Sequence, residues 1–229
     1  MLLKFWGVRG SIPAPLSSDE VQSKIVRALQ AAVVKQVDLS NPETLDEFVA
    51  GLPLSVRGVV GGNTSCITVE TPEGLVIFDA GSGIRALGDA LMEREFGQGK
   101  GEAAIFFTHT HWDHIQGLPF FRPVYVPGNR FVIYYLHSVV RQVIVDQMKA
   151  EWFPVQFDYL KADLEFREIE VGRTVQVAGM EIQGKALQHP GVAYAYRVEN
   201  GPSSFVLATD GEYKNLSASH TREYIDFFR

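Results

Sequence analysis

Apolar and polar positions repeat with two different periods along this chain, and the change of period divides it into elements. Residues 2–9 read as a first strand, closed by Gly7, Gly10 and Pro13. Over 18–36 the apolar residues Val21, Ile25, Ala28, Leu29, Ala32 and Val33 recur at helical spacing. Ser17 or Ser18 caps that helix, with Asp19 and Glu20 in its first turn. A second short helix is predicted at 43–50, after Asn41 and Pro42. The two read as a helical insertion, residues 16–57, whose apolar faces must pack on the main body or on a second subunit. Strands are predicted at 64–70 and 75–79 around the turn Pro72-Glu73-Gly74, then a helix over 84–95. The run Gly-Gln-Gly-Lys-Gly at 97–101 reads as a mobile connection, and 103–107 as a buried strand. A strand at 131–136 and an amphipathic helix at 138–149 precede an irregular stretch, 150–162, that carries Trp152, Phe153, Phe157 and Tyr159. From there the pattern is mostly β, at 164–169, 174–178, 181–187, 192–198 and 204–208, with a final helix beginning near Ser219. Strands with helices interleaved at two places predict two sheets with helices outside.

The strand at 103–107 runs directly into Thr108-His109-Thr110-His111-Trp112-Asp113-His114. Three of the chain's six histidines and one carboxylate thus fall within six residues. Neutral imidazole and carboxylate are ligands of zinc and its neighbours. In an extended segment side chains two apart share a side, so His109 and His111 can grip one ion. Asp113 and His114 come next, at a turn, and can face a second ion. Two later segments place one metal-competent residue just past a buried strand and beside a glycine: Gln188-His189-Pro190-Gly191 and Thr209-Asp210-Gly211.

Composition narrows the partners. The 229 residues are 46% hydrophobic and 21% charged, an ordinary globular balance. A net charge of −6 does not favour tight sequence-independent binding of nucleic acid, although a local basic patch is compatible with it. Cys66 is the single cysteine, so an intrachain disulfide is excluded; a small core residue in a reducing cytoplasm is expected. The first residues lack the long apolar run of a signal peptide, and no run reaches membrane-spanning length.

The order His-x-His-x-Asp-His, a later histidine and a later aspartate resembles the metallo-β-lactamase fold superfamily, over nearly the whole chain outside 16–57. The resemblance implies a four-layer αββα sandwich, one domain over 1–229. It implies a first metal held by His109, His111 and His189, a second held by Asp113 and His114, and Asp210 bridging both. Zinc is the expected ion, with manganese and iron also compatible. Gly7-Val8-Arg9-Gly10-Ser11-Ile12-Pro13, Gly61-Gly62-Asn63-Thr64-Ser65 and Gly117-Leu118-Pro119 look like the branch of phosphodiesterase-like and tRNase Z-like hydrolases. Asp79 resembles the superfamily's aspartate that accepts a hydrogen bond from a ligating imidazole; helix capping is its plainer role. True β-lactamases usually carry cysteine at the position of Asp210.

The resemblance implies a hydroxide bridging two ions as nucleophile, oriented by Asp113, on a phosphodiester; the net charge of −6 and the lack of a counterpart to the long arm by which tRNase Z grips tRNA favour a small one, such as a cyclic nucleotide or short oligonucleotide. Arg9, Arg85 and Arg122 are candidate phosphate clamps. Phe120-Phe121 and Trp152-Phe153-Pro154 either wall the pocket, stacking a base, or serve packing. One departure matters. The family's last histidine has no counterpart before Arg229, so the C-terminus reads as shortened and the second site as incomplete. His220 is expected in a polar helix start and His137 at a helix start away from the cluster. A glyoxalase II-like thioesterase and a weakly active or non-catalytic metal-binding scaffold are the competing readings, and self-association through the insertion is compatible with all three.

Overall fold

Three apolar clusters among the described residues separate four layers of secondary structure. The structure is a computed structural model and describes residues 1–59 and 62–229. Its first sheet has the order β1 (Leu2–Gly7), β2 (Cys66–Thr71), β3 (Gly74–Phe78), β4 (Glu102–Phe107), β5 (Arg130–Tyr135), β6 (Asp163–Glu168). β1, β2 and β3 pair antiparallel, and β3 to β6 pair parallel. The second sheet is antiparallel: β7 (Thr174–Val177), β8 (Met180–Leu187), β9 (Ala193–Asn200) and β10 (Ser203–Leu207).

Strict alternation explains the layering. In β3, Leu75 and Ile77 face one cluster while Val76 and Phe78 face another. β3, β4 and β5 are buried on both faces along most of their length, which is why 103–107 reads as an unbroken apolar run. On the outer face, α4 (Gly83–Met92) and α6 (Val140–Asp146) lay Ile84, Leu87, Leu91, Val140 and Ile144 on Ile77, Ile105 and Phe131. Between the sheets, Phe78, Phe106 and Tyr134 meet Ile182, Tyr196 and Val198, and Phe106 stacks on Tyr134 with ring centroids 4.6 Å apart. Truncating such a ring to alanine costs about 3–5 kcal/mol. On the far side α7 (Ala218–Phe228) packs Tyr224 and Phe227 on Leu187, Ala193 and Ala195. This is the expected αββα sandwich.

The segment between β1 and β2 is helical. It comprises α1 (Ser18–Val34), α2 (Pro42–Ala50) and a short α3 (Leu54–Arg57) that the sequence pattern did not signal. Ser17 closes a capping box with Glu20, and Asn41 accepts from the N–H groups of Glu43 and Thr44. Lys24 Nζ ties α1 to the α3 segment through the carbonyls of Ser55 (2.6 Å) and Gly58 (2.8 Å). Of α1 only Ala32 is buried; Val21, Ile25, Leu29, Val33 and Val34 remain exposed.

The expectation of a mobile connection at 97–101 is wrong. A 3-10 turn, Glu95–Gln98, comes after α4, and Gly101 N–H donates to Asn129 Oδ1 at 2.8 Å. Asn129 is itself buried and donates to the carbonyls of Phe96 and Pro123. Gly99 has φ +69 and lies against the Pro127 carbonyl. These glycines answer a left-handed turn and close backbone approach rather than a need for motion.

Candidate metal centre

The C-terminal ends of β3 and β4 converge, and two backbone bonds lock the loops beyond them. Ala80 N–H donates to the His114 carbonyl (2.7 Å), and Gly117 N–H donates to that of Ala80 (2.8 Å). Gly81 and Gly117 leave no room for a Cβ at this junction. The four-residue helix α5 (Trp112–Ile115) is thereby pinned over the β3 end, with His111 extended at its N-cap and Asp113 and His114 within it. The second sheet joins here as Tyr194 N–H donates to the Thr108 carbonyl at 3.0 Å.

Six side chains from three segments of the chain meet at this junction. His109 Nε2 and His189 Nε2 each lie 3.0 Å from His111 Nδ1. Asp210 Oδ2 lies 2.7 Å from His114 Nε2 and 3.5 Å from His109 Nε2, and Asp113 Oδ2 lies 3.6 Å from His114 Nε2. Two sets of donor atoms can each surround one ion, His109/His111/His189 and His109/His114/Asp210, with His109 common to both. Three imidazole nitrogens turned toward one another cannot all satisfy their lone pairs with one another's protons. A cation resolves that conflict, and nitrogen with carboxylate oxygen is the donor set of a zinc-type ion, so the residues fit the group.

Charge is distributed unevenly across the pocket. Burial, reinforced by the neighbouring His114, pushes His109 down to about 4. Burial would lower His114 too, but Asp79 and the hydrogen bond to Asp210 outweigh it and raise His114 to about 10. The His114 bond in turn holds Asp210 below the usual carboxylate range. Asp79 is fully buried; its carboxylate accepts from Thr108 N–H (2.8 Å), Thr108 Oγ1 (3.0 Å), Ser65 Oγ (3.0 Å) and His114 Nδ1 (2.7 Å). It therefore orients an imidazole rather than capping a helix.

Comparisons with known proteins show the family of the chain. The family model described as "Beta-lactamase superfamily domain" matches residues 75–224, a stretch that contains all six of these side chains. The chain belongs to that family. Ribonuclease Z of Exiguobacterium sibiricum is 28% identical over 154 residues, covering 66% of this chain and 46% of that protein. Ribonuclease BN of Escherichia coli is 27% identical over 160 residues, covering 66% and 47%. The chain spans about half the length of these curated relatives. Human tRNase Z, short form, shares the fold at TM-score 0.53 and 15% identity, over 96% of this chain and 73% of that one. The metallo-β-lactamase fold protein YhfI from Bacillus subtilis does so at TM-score 0.51 and 17% identity, over 72% and 60%.

Within the superfamily fold, other residues singled out from the sequence fall in varied places. Arg85 and Arg122 both turn to Asp89, at 3.4 and 3.3 Å. Phe121 is a core ring against Phe131, whereas Phe120 is half exposed and meets Phe153 edge-on at 5.3 Å. Cys66 is buried in the core, and burial first, then Asp79, pushes its thiol well up, which makes it inert. Neither His220 nor His137 belongs to the ligand sets found among the described residues. Gly61 lies outside the described residues.

Sequence reasoning missed Ser11. Its backbone N–H donates to Asp113 Oδ2 at 2.7 Å from a left-handed conformation, φ 66°. Asp79 (60°), Val192 (67°) and Asp210 (58°) share that conformation, so four of the seven positive-φ non-glycine residues described lie at this site. A β-branched residue there is strained, and such strain collects at functional sites. No single-residue pattern announces Ser11, because its contribution is a backbone amide.

Proposed function

We propose that this protein is a metal-dependent hydrolase of phosphodiesters. In this reading His109, His111 and His189 would hold one divalent ion, Asp113 and His114 a second, with Asp210 available to both; Asp113 would also be the catalytic carboxylate. The observation that carries the reading is the pair of donor sets that meet at His109; Asp113 belongs to neither set and stands beside the second, His109/His114/Asp210, with its Oδ2 3.6 Å from His114 Nε2. Zinc suits the nitrogen-rich set, and manganese or iron the carboxylate-rich one. When bound, such a pair supplies an activated water and neutralises charge on a phosphoryl group.

The chain's own residues do the rest. Asp79 keeps His114 oriented through Nδ1, leaving Nε2 for the pocket. The Ser11 amide holds Asp113 through Oδ2, the oxygen that lies 3.6 Å from His114 Nε2. Trp112 sits between His111 and Asp113 and is 81% exposed; Phe120 (54%) and Trp152 (77%) are open as well. An exposed ring between two of the candidate ligands suits a substrate that carries bases, because stacking on an aromatic face adds about 1–3 kcal/mol per base. The names of the ribonuclease relatives support the same choice, and they weigh more than the net charge of −6, which speaks only of the whole molecule. We therefore extend the substrate class from small phosphodiesters to RNA.

The same proposal treats residues 1–229 as one domain carrying the 16–57 insertion, places it in the cytoplasm on account of the lone buried thiol, and lets the exposed stripe of α1 join two copies. Among the described residues no helix is long and apolar enough to cross a membrane. The test is turnover of bis(p-nitrophenyl) phosphate and of a short RNA by zinc- or manganese-loaded protein. Cleavage that stops with a chelator and returns with metal is expected. Inactivity on both with cleavage of S-lactoylglutathione would replace this reading by a thioesterase, and inactivity on all three by a scaffold.

A further inference from the structure

We infer that Glu212 is a positioning residue for His189, accepting a hydrogen bond from its Nδ1–H and so holding Nε2 toward His109 and His111. His189 Nε2 faces His111 Nδ1 at 3.0 Å. Its other ring nitrogen, Nδ1, is buried and has no hydrogen-bond partner among the described residues. Glu212 Oε1 stands 4.0 Å from that nitrogen, one small side-chain rotation from contact. The opposite carboxylate oxygen, Oε2, is held by Lys214 Nζ at 2.8 Å, which leaves Oε1 free to turn inward.

The surrounding backbone is built to keep these groups together. Glu212 N–H donates to the Gln188 carbonyl at 2.8 Å. Gln188, with its amide turned to suit two carbonyls, donates to those of Glu212 (3.0 Å) and Lys214 (3.1 Å). The loop after β8 is thus stitched to the loop after β10, and the stitch sets Glu212 behind the His189 ring. A ligating imidazole almost always gives its second N–H to a carboxylate, a carbonyl or water; doing so fixes the tautomer and raises the basicity of the ligand nitrogen. Glu212 is placed to do this for His189 as Asp79 does it for His114, with the difference that Asp79 already makes its contact and Glu212 must close a gap.

The inference rests on the proposed metal site, but its first readout does not require metal. Long-range nitrogen–proton NMR of the His189 ring in chelator-treated protein should show the Nδ1–H tautomer. In Glu212→Ala that preference should be lost, and affinity for the tighter-bound zinc, measured by competition with a chromogenic chelator, should fall about 10–100-fold. Glu212→Gln keeps an acceptor oxygen and should restore the tautomer and most of the affinity, which a merely structural role would not do. An Nε2–H tautomer in the wild type, or Glu212→Ala binding zinc within twofold of wild type, overturns the inference. Wild type with the Nδ1–H tautomer and tight zinc but no phosphodiester turnover would instead overturn the proposed reaction and leave Glu212 in place.

Discussion

The two sides of the metal pocket are prepared in opposite ways. On one side His109, His111 and His189 present nitrogens 3.0 Å apart while carboxylates stand back, Asp210 at 3.5 Å from His109 and Glu212 at 4.0 Å from His189. On the other side His114 is gripped at 2.7 Å by Asp79 and at 2.7 Å by Asp210. On the first side burial makes the His109 imidazole resist a proton; on the second, Asp79 and Asp210 favour the protonated form of His114. A proton on His114 stands where a cation would be. An ion among the first set would therefore meet an unprotonated His109, while one at His114 would displace a proton.

Four experiments probe that contrast. His111→Ala has the largest expected effect, because its Nδ1 is the meeting point of the histidine trio. Metal analysis after dialysis should find the tighter ion gone, and turnover should drop to background; unchanged turnover would exclude the trio from the reaction. Asp79→Asn comes next. Removing the charge from a fully buried group that accepts from Thr108, Ser65 and His114 should cost about 3–5 kcal/mol of stability, read by urea unfolding.

The third experiment is a pH series on chelator-treated protein. His109 falls from 6.5 to about 4 on folding, so its contribution is present above pH 6.5 and is lost as pH drops toward 4. His114 rises from 6.5 to about 10, so its contribution is present below pH 6.5 and is lost as pH climbs toward 10. Thermal midpoints should therefore decline on both sides of pH 6.5, and His114→Gln should lack the alkaline decline; an alkaline decline of equal size in that variant would contradict the assignment. The smallest effect belongs to Arg85→Ala and Arg122→Ala. Both arginines are spent on Asp89 at an exposed position, so turnover should stay within about twofold, and a large rise in KM would return them to the substrate path.

How far the sequence could be read depended on the kind of signal. β4 and the His109-to-His114 run were legible together, because an apolar strand that ends in closely spaced imidazoles has few other uses. The helices α1 and α2 were legible from local chemistry, the Ser17 capping box and the Asn41 cap with Pro42. Those caps could not reveal packing: the same periodicity buries Leu87 and Leu91 of α4 yet leaves Val33 and Val34 of α1 in solvent. His189 and Asp210 are ordinary turn residues until β8 and β10 bring them beside β4. Ser11 acts through a backbone N–H, and Glu212 through a loop stitched by Gln188, so neither leaves a mark in residue type. The glycines at 97–101 misled because close packing and flexibility favour the same residue.

Whether these six side chains enclose two cations decides the rest. Anomalous scattering from zinc-grown crystals, collected on both sides of the zinc edge, answers it. Two peaks are expected, one bounded by His109, His111 and His189 and the other by Asp113, His114 and Asp210, separated by about 3.5–4 Å. No peak in this pocket, or a peak held by other residues, would contradict the proposed centre.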